Sequence, residues 1–135
     1  MRTTLMAVVA AAGLVLAAAP ALAHHAFAAE FDQGKPINVK GSVTKWELTN
    51  PHSWIYMDVK DANGKVVTWM IEGASPNNLY RLGFTKESLP AGSEITVEGY
   101  QAKDGSTRAV GRNITFANGK KFFLGLMEAE GAPKQ

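Results

Sequence analysis

"WIYMDVKDANGKVVTWMIEG", residues 54–73, is the stretch on which the fold turns. Its opening residues alternate strictly. Trp54, Tyr56 and Asp58 fall on one side, and Ile55, Met57 and Val59 on the other, the period of a strand with one buried face. The four residues Asp61-Ala62-Asn63-Gly64 carry hairpin-turn chemistry, and residues 65–73 return as a second β-prone run.

Upstream, "INVKGSVTKWEL" (37–48) alternates through Ile37, Val39, Gly41 and Val43, with Gly41 expected at a bulge or tight bend of a curled sheet. "TNPHS" (49–53) interrupts it, because Asn50 before Pro51 favours a turn that opens with the asparagine. Downstream the period changes. Ser75 is placed to cap a helix that starts at Pro76, and "PNNLYRLG" ends at Gly83 in the C′ position. Leu79, Tyr80 and Leu82 are expected to pack together on one side of it. "EITVEGYQAK" (94–103) and "TRAVGRNITF" (107–116) read as a fourth and fifth strand around the turn at 104–106. Asn118-Gly119 signals a hairpin into "KKFFLGL".

Three strands, a short helix and two or three further strands predict an all-β fold: a small OB-like antiparallel barrel of five to six strands, with the helix between strands 3 and 4.

The first 23 residues have the three parts of a secretory signal peptide: Arg2, an apolar stretch from Met6 to Ala19, and Ala21-Leu22-Ala23 after Pro20. The apolar stretch has 14 residues, short of the roughly 20 a spanning helix needs. The expected product is periplasmic or secreted, with no membrane span after cleavage. It begins at His24 and keeps 112 of the 135 residues. The expected organisation is signal peptide 1–23, N-terminal arm 24–35, barrel domain 36–126 and frayed tail 127–135.

Without Arg2 the product carries 13 basic and 12 acidic residues. That balance offers no basic patch, and nucleic acid is not an expected partner. The chain has no cysteine, so neither disulfides nor thiolate chemistry are available to it.

The chain resembles a set of small exported bacterial proteins, largely without assigned function, that begin His-His-x-Phe after the signal peptide. The matching residues are His24, His25 and Phe27, Glu30 to Asp32, Thr49 to His52 with Trp54, Val59 to Val66, Ser75 to Gly83, and Val97 to Ser106. The resemblance covers nearly the whole mature chain. It implies an OB-like exported domain and no established activity.

Three histidines are the candidate metal ligands. An N-terminal His24 offers an amine and an imidazole to one ion, and His52 is the natural third ligand for Cu(II), with His25 as competitor. This is locally similar to histidine-brace copper proteins. The plain alternative is a disordered polar start and a His52 bonded to its own turn. A Cu(I) site is a second comparison: Met57, Met70, Trp54 and Trp69 resemble the ligand set of small periplasmic copper chaperones, although Met57 reads as core.

Catalytic signals are thin. Asp58 and Glu72 are candidates to pair across strands, but no nucleophile elbow, P-loop or dinucleotide fingerprint accompanies them. Trp54, Tyr56, Trp69 and Tyr100 are candidates for a ligand or partner surface, or equally for core. Two functions follow as expectations. One is a non-enzymatic periplasmic binding or accessory domain that takes copper through its N-terminal histidine. The other is an assembly or docking subunit for a membrane or redox partner, without a metal of its own.

Overall fold

The computed structural model describes residues 29–125. The chain divides into two compact units after Glu30, and all six strands belong to the second. The expected signal peptide, His24, His25 and the whole expected tail lie outside the described residues.

The elements are β1 (Phe31–Glu47), β2 (Trp54–Lys60), β3 (Val66–Glu72), α1 (Pro76–Arg81), a 3-10 turn (Lys86–Ser88), β4 (Glu94–Ala102), β5 (Arg108–Phe116) and β6 (Lys121–Phe123). The hairpin at 54–73 forms in full register from Trp54–Glu72 to Lys60–Val66. Its turn is held by the Asp61 carboxylate, which accepts from the Asn63 and Lys65 amides at 2.8 and 2.9 Å. Ile55, Met57 and Ile71 are fully buried, as the alternation requires.

Strand β1 is longer than its sequence pattern implied. It begins at Phe31, where Phe31 pairs with Ala102, and it serves both neighbours: β4 along residues 31–42 and β2 along 41–47. Gly41 is the crossover residue. A Cβ there would lie 2.1 Å from the Asp58 carbonyl oxygen, so only glycine lets the two strands approach. The register shift falls nearby, between Val43 and Lys45, rather than at Gly41.

The short helix lies between strands 3 and 4 as expected. Ser75 Oγ accepts from the Asn78 amide at 3.4 Å, Pro76 opens the first turn, and Gly83 leaves the helix at φ +89°. Leu79 is fully buried, but Tyr80 and Leu82 remain 45% and 48% exposed. A six-residue helix has room for one buried stripe only, so the expected three-residue packing face is corrected to Leu79. Phe84 and Leu89 join Leu79 in closing that end of the core.

The barrel expectation is also corrected. The strands form a six-stranded sheet in the order β3-β2-β1-β4-β5-β6. Direction alternates along that order as far as β5, so β3 and β5 run the same way. They meet through a short parallel ladder, Met70–Arg108, Ile71–Ala109 and Glu72–Val110. A closed antiparallel barrel is therefore not the architecture; the sheet curls over its core and carries β6 as an edge strand.

Candidate functional site

The site is built from ladder positions on the outer face of the sheet. Strand alternation puts Trp54, Tyr56 and Asp58 of β2 outward, each half-buried, while Ile55 and Met57 point inward. Across β3, Trp54 stands opposite Glu72 and Tyr56 opposite Met70. The parallel ladder extends both rows, setting Val110 beside Glu72 and Arg108 beside Met70, and Tyr100 of β4 pairs with Val110. Two adjacent outer rows thus bring together Trp54, Glu72 and Tyr100 in one and Tyr56, Met70 and Arg108 in the other.

Arg108 links the rows. Its guanidinium carbon is 5.5 Å from the Trp54 ring centroid and 6.0 Å from that of Phe31, so one cation lies over two aromatic faces. Phe31 is 4% exposed and packs outside the main core. Below Tyr56, its hydroxyl donates to Glu47 Oε2 at 3.1 Å, and Glu47 pairs with Lys45, whose ammonium is 5.5 Å from the Tyr56 ring. Burial, then the hydrogen bond to Glu47, hold the Tyr56 phenol above its ordinary pKa. The Lys45 contact draws the Glu47 carboxyl below the usual range.

His52 flanks the first row. Its Nδ1 pairs with Glu72 Oε1; Glu72 is 7% exposed, whereas His52 remains partly open to solvent. The turn is tied to the end of β3, since the Ser53 amide donates to the Ala74 carbonyl at 3.0 Å and the Gly73 amide to the Ser53 carbonyl at 2.9 Å. An imidazole oriented by a carboxylate is capable of proton transfer. The adjacent hydroxyl cannot serve it as a nucleophile, because Ser53 is fully buried.

The structure sorts the sequence candidates unevenly. Trp54, Tyr56, Tyr100 and His52 are drawn to one face. Trp69 is not: it sits inward on β3, packed against the core. Asp58 does not pair with Glu72 but accepts at 2.9 Å from the Oγ1 of Thr68, the residue directly opposite it on β3. Met57 is fully buried inside while Met70 faces outward, so the two thioethers lie on opposite faces and cannot share a Cu(I) ion.

The copper reading finds no support among the described residues, and His24 and His25, from which it starts, fall outside them. Among the described residues no group of three or more His, Cys, Asp or Glu is arranged to hold a metal. The Nδ1 of His52 is already engaged by Glu72. Arg108, and Glu72 as the charged partner of His52, were missed. The signal for Arg108 was its place two residues after the turn at 104–106, which opens β5 beside the end of β3 only once the sheet curls.

Among the described residues no helix is long and apolar enough to cross a membrane. No curated protein and no solved structure matches the chain. A family model does match, over residues 10–112, and the span takes in the TNPHS turn, the hairpin, α1 and most of β5. The chain belongs to the family of unknown function DUF6152.

Proposed function

We propose that this protein is an exported, non-catalytic accessory domain that docks a protein partner through the outer face of β2, β3 and β5. The observation that carries the reading is the convergence of Trp54, Tyr56, Met70 and Arg108 on neighbouring ladder positions. Tryptophan, tyrosine, methionine and arginine are the residue types enriched where proteins recognise one another, and the first two with arginine dominate binding hot spots. A sheet holds their backbone in place, which removes the loop-ordering part of the cost of association. The His52–Glu72 pair at the border supplies a polar rim that combines hydrogen-bonding capacity with fixed geometry.

The test is site-specific photocrosslinking in cells that export the protein. A crosslinker at Tyr56 is expected to give a discrete adduct, lost in Arg108→Glu, while one at Lys121 on the edge strand gives none. The same adducts from both positions, or an adduct indifferent to Arg108→Glu, overturn the reading. Fractionation of the same cells tests the export: protein that stays in the cytoplasm with its leader attached removes that part.

A further inference from the structure

Two hairpin turns carry Asn-Gly, and they share a backbone but not a side-chain bonding pattern. Between β2 and β3 the Asp61 amide donates to the Lys65 carbonyl at 2.8 Å, and the Gly64 amide to the Asp61 carbonyl at 2.9 Å. Between β5 and β6 the Phe116 amide donates to the Lys120 carbonyl at 2.9 Å, and the Gly119 amide to the Phe116 carbonyl at 2.8 Å. Gly64 and Gly119 both turn at positive φ, +79° and +84°. Asn63 and Asn118 therefore hold equivalent positions, and both are exposed.

The lysine after each glycine finds a different acceptor. The Lys65 amide donates to Asp61 Oδ1 at 2.9 Å, because an aspartate opens that turn. Phe116 opens the other turn and has no oxygen to offer, so the Lys120 amide donates to Asn118 Oδ1 at 2.9 Å. This bond polarises the Asn118 side-chain carbonyl. The ring it closes contains the Gly119 nitrogen, so the electrophilic Cγ is held beside a backbone nitrogen that no side chain shields. A donor for charge developing on Oδ1 is thus in place before any reaction. The glycine amide bonds are nearly equal in the two turns and do not separate them.

We propose that Asn118 is a site of self-modification, converting through a succinimide to aspartate and isoaspartate faster than Asn63 does. The Gly119 nitrogen gives its proton to water and attacks Asn118 Cγ, and Oδ1 takes the electron pair. Collapse of that adduct re-forms the carbonyl and expels Nδ2, which leaves as ammonia after taking up a proton. Water then adds to either carbonyl of the five-membered ring and breaks its bond to nitrogen. One water is consumed, one ammonia is released and nothing is oxidised or reduced. Both products add a negative charge, and the isoaspartyl product adds one backbone methylene to the turn that carries the edge strand β6.

The experiment incubates the protein at mildly alkaline pH and follows both sites by peptide-resolved mass spectrometry, with isoaspartyl peptides separated by chromatography. In the folded protein Asn118 is expected to convert about five-fold faster than Asn63, the rate ratio that one net hydrogen bond supports. In urea, where neither turn persists, the two rates should converge. Asp61→Ala, at an exposed position, frees the Lys65 amide for Asn63 and is expected to bring the Asn63 rate close to that of Asn118. Asp61→Asn keeps an acceptor at that position and should leave Asn63 slow. Asn63 converting first or at an equal rate in the folded protein would overturn the proposal. So would a ratio that urea leaves unchanged, or an Asn63 rate indifferent to Asp61→Ala.

Discussion

The inner and outer faces of β2 and β3 come from alternate residues of the same two strands, yet they answer to different demands. Inward, Ile55, Met57 and Ile71 are wholly excluded from solvent and belong to one continuous apolar core. Outward, Trp54, Tyr56, Asp58, Thr68 and Met70 are half-buried or exposed and make pairwise contacts across the strands: Thr68 with Asp58, Tyr56 with Glu47, Trp54 with Arg108. Removing an inner side chain leaves a cavity that neighbours fill only in part, whereas an outer vacancy is filled by water. The inner face therefore carries stability. The outer face is left to hold chemistry that a partner can read.

Met57→Ala is the severest test of that division, with an expected loss of about 2–5 kcal/mol in denaturant unfolding. Trp54→Ala, its neighbour on the same strand but on the other face, should cost only about 1 kcal/mol, the loss of a stacked cation and some apolar area. Equal losses for the two would erase the distinction between the faces. His52→Ala belongs with the outer set. It removes one partner of Glu72, which has a further interaction, and an expected loss of about 1 kcal/mol by the same measurement follows.

Ser53→Ala should go the other way. The Ser53 hydroxyl is buried without a hydrogen-bond partner among the described residues, so its removal is expected to leave stability unchanged or raise it by up to about 1 kcal/mol. A clear destabilisation would mean that the hydroxyl is satisfied and that the turn around His52 depends on it.

The smallest effect is spectroscopic. Burial and Glu47 keep the Tyr56 phenol neutral to higher pH, so its folded pKa lies above the ordinary value of 10.0. The associated stability is fully present below that value and is lost as pH rises through the folded pKa. Phenolate absorbance, with the Tyr56 step assigned by Tyr56→Phe, should place that step above the ordinary value and move it down in Glu47→Gln. A step that Glu47→Gln leaves in place would remove the carboxylate from the account of this face.

Much of the fold was legible because it rests on local chemistry. The alternation of residues 54–59, the turn at Asp61, the Ser75 cap and Gly83 each express a constraint within a few residues, and each element formed where that constraint put it. The start of β1 was not legible. Residues 31–36 have no strand alternation of their own and are held by pairing with β4, some 65 residues on. The barrel expectation failed for a related reason: strand order along the chain does not state the direction in which β3 and β5 meet.

The candidate site divides along the same line. The sequence by itself determined which face of β2 each aromatic residue occupies, because side-chain direction in a strand follows from parity alone. Parity assigned Trp54 and Tyr56 to one side, and Met57 to the core. Only the tertiary structure decided that Arg108 comes to rest over Trp54 and Phe31, and that Glu72 meets His52 and not Asp58. These meetings join residues 20 to 77 positions apart. They follow from the register between strands and the curl of the sheet, which are set by how all the strands share one core and not by any short stretch of the chain.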